Sequence, residues 1–247
     1  MRLQKKLKMD NIHSSLRKTL EELRKGNFVL IHDSDKRENE TDMVMAAEFV
    51  RAEDIAQMRK DGGGLICIAV ERRIAEKLEL PFMSDILSLG SDEFPVLRYL
   101  KADDIPYDKK SSFSISINYR GTFTGITDTD RALTIREFGK FCRRLNNLNN
   151  KDNLQREFGS KFRSPGHVNL LISSGLENRE GHTELSTALM KIAGLTPVAA
   201  ICEMMDSKTH KALSRKDTIL YAKKNNLKFL ETNEIKDAYR KLQKVSS

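Results

Sequence analysis

Apolar residues recur along this chain with two periods, and the periods outline its elements. Ile12, Leu16, Leu20 and Leu23 share one face of a helix that Asp10 or Asn11 caps and Gly26 ends. Residues 28–32 and 43–50 read as strands, with a polar decapeptide between them. A short helix over 52–60 is broken by Gly62-Gly63-Gly64, and the continuous apolar run 65–70 predicts a buried strand. A helix over 71–78 stops at Pro81. Residues 82–110 show no clear period, contain Pro95 and Pro106, and read as a long irregular excursion. Phe113, Ile115, Ile117 and Tyr119 alternate on a strand over 112–119. A helix follows over 131–145, then a polar, Asn-rich loop from Asn146 to Asn153. Strand 168–172, helix 183–193, strand 198–203, helix 214–225, strand 227–230 and helix 232–243 complete the chain. Alternating and fully apolar strands mixed with helices predict an α+β fold: a single three-layer domain whose mixed sheet is flanked by helices.

Composition narrows the classes. With 247 residues, 39% hydrophobic and 32% charged, the chain has the make-up of an ordinary soluble protein. No apolar run approaches the roughly 20 residues that span a bilayer, which points away from the membrane. Residues 1–10 form a basic extension without an apolar segment behind it, so no secretory signal is expected. Three scattered cysteines suit neither a disulfide framework nor a zinc site, and imply a reducing, cytoplasmic home. The net charge of +8 raises the question of nucleic acid. Its cations, however, gather at the ends (Arg2, Lys5, Lys6, Lys8; Lys236, Arg240, Lys241, Lys244), and no aromatic-basic interleaving accompanies them. A solvated surface that draws in an anionic metabolite is the plainer account.

Four clusters carry candidate chemistry. The decapeptide 33–42 holds Asp33, Asp35, Glu38, Glu40 and Asp42, which repel one another unless a cation balances them. It is either a solvated turn or a site for a hard divalent ion, and Glu38 and Glu40 would face one side of an extended segment. Arg179-Glu180-Gly181-His182-Thr183 opens a helix, which suits either capping by Thr183 or an anion held by Arg179, with His182 free for a metal. Pro165-Gly166 marks a turn before His167, a structural histidine or a general acid or base. Glu203 ends an apolar strand, either raised in pKa by burial or already in solvent. Cys67 reads as core or pocket lining.

Asp35-Lys36-Arg37-Glu38-Asn39-Glu40-Thr41-Asp42, Thr124-Gly125 through Asp130-Arg131, Ser164-Pro165-Gly166-His167-Val168, Arg179 through Glu184, and Cys202-Glu203 occur in this order. Together they resemble the 3,4-dihydroxy-2-butanone 4-phosphate synthase family, most of all its archaeal single-function form, over residues 11–247. The resemblance implies a three-layer domain of that family's type. It also implies conversion of D-ribulose 5-phosphate to L-3,4-dihydroxy-2-butanone 4-phosphate and formate, a step of riboflavin biosynthesis. Magnesium or manganese would be required, and a homodimer would place its sites near the subunit interface. Glu38 and His182 match metal ligands, and Glu40 is a candidate ligand to a second ion. Arg37, Asp42, Arg179 and Thr183 match substrate contacts, with Cys67 and Glu203 beside them. His167 and Glu203 match catalytic positions, and Asp42 can bind or deprotonate a hydroxyl. The chain ends too soon for the GTP cyclohydrolase II domain of some relatives, so one activity is expected. The alternative is another metal-assisted sugar-phosphate lyase or isomerase on the same scaffold.

Overall fold

A computed structural model of the chain describes residues 14–35, 37–108, 110–145 and 153–246. The basic extension 1–10, the cap at Asp10 or Asn11 and most of the Asn-rich loop, 146–152, lie outside the described residues.

The strands form one mixed sheet, in the order β4 (Phe113–Tyr119), β5 (Phe162–Ile172), β3 (Cys67–Val70), β6 (Val198–Glu203), β2 (Thr41–Ala46), β1 (Val29–His32), β9 (Lys228–Glu231). The β1–β9 and β3–β5 pairs are parallel; β1–β2, β2–β6, β3–β6 and β4–β5 are antiparallel. Successive side chains enter opposite layers, as the strand period requires. Leu30, Met43, Met45, Ile68 and Ala200 pack on one face with α2 (Ala52–Gln57), α3 (Arg72–Leu78) and α5 (Asp128–Leu145). Val29, Ile31, Val44, Cys67 and Ile201 pack on the other with α1 (Ser14–Arg24), α7 (His182–Ala193) and α9 (Thr232–Ser246). Because both faces are covered, the central strands read as continuous apolar runs, and the three-layer α+β expectation holds.

Several boundaries differ from the sequence reading. Residues 82–110 are not wholly irregular: they contain α4 (Met83–Leu89) and a 3-10 turn at Pro95–Tyr99. Neither buries a residue, so no apolar stripe marked them. The helix α6 (Leu154–Lys161) was not expected, since Leu154 is its one buried position. The expected strand 43–50 spans 41–46 and continues as a 3-10 turn over 47–49. A short hairpin, β7 (Met205–Asp206) with β8 (Lys211–Ala212), follows the central strand β6, and α8 (Arg215–Lys224) follows the hairpin. The Pro165-Gly166 segment is not a turn before a strand but a bulge inside β5. Asn118 pairs with Arg163 and Ile117 with Val168, so 164–167 stand out against one step of β4.

Gly139 shows how tightly the α5 layer sits. A Cβ there would lie 2.6 Å from the Glu48 nitrogen and 2.9 Å from the Ala47 carbonyl carbon, both backbone. Gly139→Ala is therefore expected to destabilise. Overpacking costs about 1–3 kcal/mol, more than the ~1 kcal/mol that alanine adds to a helix. Urea unfolding should show a lower midpoint at unchanged slope; a higher midpoint would mean that the layers are slack.

Candidate active site

β1 and β2 pair through His32↔Thr41, which closes the acidic loop at its base. The Asp33 N–H donates to the Glu40 carbonyl at 3.1 Å, and His32 Nδ1 lies 2.9 Å from Thr41 Oγ1. Asp33 is buried, and its carboxylate accepts the Glu38 N–H at 3.1 Å and the Glu40 N–H at 2.9 Å. The loop is thus wrapped around one of its own anions. Asn39 adopts φ 54°, a left-handed conformation that asparagine tolerates better than most residues. That left-handed turn departs from the extended segment expected between Glu38 and Glu40. Glu38 reaches His182, its Oε2 3.4 Å from Nδ1.

His182 is the first residue of α7. The N-cap is Gly181, with no side-chain cap, and Thr183 lies inside the first turn. Capping by Thr183 is thereby ruled out. A Cβ on Gly181 would come within 2.8 Å of Arg37 Nη1 and 2.9 Å of Arg179 Nη1. Both guanidiniums thus lie close to the helix start, where free N–H groups favour an anion.

Across the sheet, Asp42 pairs in register with Glu203. Glu203 Oε2 accepts the Leu65 N–H at 2.7 Å, and a Cβ on Gly64 would fall 2.4 Å from that oxygen. The glycine triplet therefore does more than break a helix: it lets the chain approach the carboxylate. His182 Nε2 and Asp42 Oδ1 are 3.7 Å apart, both buried, and neither has a hydrogen-bond partner.

The electrostatics follow from that crowding. Burial pushes the Asp42 carboxyl up to about 8, and Glu203, Glu38 and Glu40 push in the same direction. Burial alone would lower His182, but Asp42, Glu38 and Asp33 raise it to about 9. Burial would raise Glu38; its hydrogen bond to His182 and the charges of Arg37 and Arg179 hold it below the usual range. Glu40 is raised by burial and by Glu38 and Glu203. Among the described residues, ligand atoms of Asp33, Glu38 and His182 lie within 4.8 Å of one another. Two carboxylates, an imidazole and an unpartnered Asp42 oxygen form a donor set that fits a hard divalent cation. Glu40 is not part of that cluster; Asp33, which carried no role in the sequence reading, is.

Glu38, Asp42, His182 and Glu203 line a cavity of about 150 Å³ with Tyr107, Asp108, Ser112, Thr183 and Arg179. A larger groove of about 350 Å³ along α9 brings no histidine or cysteine together. Asp108 was invisible in the sequence, because its segment has neither period nor motif. Its Oδ2 accepts from Arg37 Nη2 at 2.5 Å and Arg179 Nε at 2.8 Å. Arg179 Nη1 also donates to Ser112 Oγ at 2.7 Å and to buried Glu184 at 2.8 Å. Burial would weaken the Arg179 cation, but Asp108 and Glu184 outweigh it and raise its pKa.

The family model for 3,4-dihydroxy-2-butanone 4-phosphate synthase matches residues 17–238. The chain belongs to this family. It is 49% identical to the synthase of Methanothermobacter thermautotrophicus, over 91% of this chain and 95% of that one. It is 46% identical to the synthase of Archaeoglobus fulgidus, over 92% and 94%. A solved 3,4-dihydroxy-2-butanone 4-phosphate synthase in complex with two magnesium ions superposes with a TM-score of 0.69 at 27% identity, over 89% and 94%. The family activity is the conversion of ribulose 5-phosphate to 3,4-dihydroxy-2-butanone 4-phosphate and formate, in riboflavin biosynthesis.

Of the residues expected in a synthase site, Arg37, Glu38, Asp42, Arg179, His182, Thr183 and Glu203 converge here. Cys67 does not line the cavity; it is buried in β3, and burial with Glu203 and Asp42 nearby raises its thiol well above the usual range. His167 also lies outside, exposed on the bulge, where Asn118 Nδ2 is 3.0 Å from its Nδ1.

Asp33 as the loop's template has a direct test. Asp33→Ala removes the acceptor of two loop N–H groups, so trypsin should cut after Arg37 several-fold faster than in the wild type, followed by mass spectrometry. An unchanged cutting rate would show that the loop is held by something else.

Proposed function

We propose that this cavity converts D-ribulose 5-phosphate to L-3,4-dihydroxy-2-butanone 4-phosphate and formate, with magnesium or manganese held by Glu38 and His182 and by Asp33 beside them. The observation that carries the reading is the buried, unpartnered pair His182 Nε2 and Asp42 Oδ1, 3.7 Å apart beside Glu38 at an uncapped helix start. When bound, the dication supplies a Lewis acid that polarises the ketone and acidifies the neighbouring C–H.

The chain's own groups divide the remaining work. Arg179, Thr183 and the free N–H groups of α7 bind the phosphate, and Arg37 adds a second cation. Asp42, made more basic by its own burial and by its like-charged neighbours, takes and returns a proton at a substrate hydroxyl. Glu203, fixed by the Leu65 N–H, and His167 serve the other transfers: removal of the C3 proton, protonation of the departing C1 hydroxyl, and release of C4 as formate. Glu40 and Cys67 support the site from outside the cavity. His167 is exposed and does not line the cavity, so in this reading a second copy of the chain completes the site. Exposed Leu89, Phe94, Tyr99, Leu100 and Phe123 supply apolar surface for such a homodimer. The domain of residues 11–247 works in the cytoplasm on a small-molecule substrate, without nucleic acid. No helix among the described residues is long and apolar enough to cross a membrane.

The test is formate release from ribulose 5-phosphate with magnesium or manganese. EDTA should stop it, and Glu38→Ala and His167→Ala should lower it at least ~100-fold while the protein stays folded. Full-rate release in EDTA would defeat the metal assignment, and no release at all would favour a different metal-assisted lyase or isomerase.

A mixing experiment addresses the shared site. When Glu38→Ala and His167→Ala chains are unfolded and refolded together, half the dimers are mixed and half of their sites carry neither lesion. About a quarter of the wild-type rate should return; none returns if each site lies within one chain.

A further inference from the structure

We propose that Asp108 is an internal competitor for the phosphate of the substrate, seated on the arginine pair that the phosphate must take. This deepens the reading of Arg179 and the α7 start as the phosphate seat and rests on it.

The donor count points this way. Arg179 has two edges that can offer parallel N–H groups to an anion. On one, Nε donates to Asp108 Oδ2 at 2.8 Å and Nη2 lies 2.6 Å from the same oxygen. On the other, Nη1 serves Ser112 Oγ at 2.7 Å and Glu184 Oε2 at 2.8 Å. Arg37 Nη2 also donates to Asp108, at 2.5 Å, and its Nη1 faces Asp33 at 3.4 Å. A permanent scaffold would leave one edge open to the ligand, as Glu184 does by holding Arg179 from the Nη1 side. Asp108 leaves none. Charge agrees: Asp108, Glu184, Asp33 and Glu38 around two arginines leave no surplus of positive charge for a phosphate dianion. Release of Asp108 restores both the charge and the open edge.

The segment that carries Asp108 is built to leave. Among the described residues of 101–111 there is no backbone–backbone hydrogen bond to the rest of the chain. Besides Asp108, the polar and ring contacts of its described residues with the body are Tyr107, whose ring centroid is 5.3 Å from the Arg37 guanidinium, Lys110, 2.7 Å from Asp85 and over the Phe82 ring, and Ser111 Oγ, which accepts the Phe113 N–H at 3.3 Å at the segment's end. It can swing about its ends without breaking a strand or helix.

The probe is inorganic phosphate, measured by calorimetry and by thermal shift on the whole chain, with Asp108→Asn and Asp108→Ala beside the wild type. Asn keeps the shape and removes the charge, so it guards against misfolding of the Ala variant. Phosphate should bind both variants about tenfold tighter than the wild type, the size expected when a charged hydrogen-bond rival is lost. It should also raise their melting temperatures further, and KM for ribulose 5-phosphate should fall in step. Adding Arg179→Ala to Asp108→Asn should abolish the gain. Phosphate binding that is unchanged or weaker in both variants, or tighter binding that survives loss of Arg179, overturns the proposal. A folded wild type that releases no formate, yet shows the phosphate pattern, counts against the proposed reaction and supports the competitor.

Discussion

Repulsion among carboxylates that cannot escape one another is the constraint on which this structure turns. Two unit charges 4 Å apart interact by about 4 kcal/mol at a protein-like dielectric. Asp33, Glu38, Glu40, Asp42 and Glu203 gather at one end of the sheet, with Asp33 and Asp42 buried. The protein relieves this in three ways. Loop N–H groups hydrogen-bond Asp33, Arg37 faces Glu38, and Asp42 and His182 hold their protons more tightly. What remains is a space beside two atoms without hydrogen-bond partners, Asp42 Oδ1 and His182 Nε2, in surroundings whose charge and donor types suit a divalent cation.

The assembly draws on segments far apart in the chain. Glu38 and His182 are 144 residues apart, Arg37 and Asp108 71 apart. Three backbone devices bring them together: the hairpin register of β1 and β2, the antiparallel register of β2 and β6, and the start of α7. Glycine appears at Gly64, where the chain passes close against both the side chain and the backbone of Glu203. The same packing that buries the sheet on both faces thus sets the site's geometry.

Much of this was legible in the sequence because two physical signals were strong. Strands buried on both faces leave unbroken apolar runs, so β3 and β6 were found almost to the residue. Glu38, His182, Arg179 and Glu203 stood out because charge beside apolar periodicity needs a reason. The misses have reasons too. α4 has no buried residue, and α6 has one, so neither carries a stripe. A Pro-Gly pair reads as a turn whether it ends a strand or bulges from one. Asp33 and Asp108 act through partners that only the fold supplies, and no local pattern names them. Asp33 lies beside Glu38 and His182 through the curl of the loop, and a left-handed Asn39 is not visible from composition.

The β2–β6 register carries one more consequence, for how such chains tolerate change in length. Asp42 and Glu203 face each other because of strand alignment, not because of the contour between them. Residues added or lost in the connections, such as the stretch between Leu145 and Asn153, leave that alignment alone. A single residue inserted within either strand would turn one of the two carboxylates to the opposite face of the sheet. Lineages of this enzyme are therefore free to drift in their loops while these two short strands keep their length.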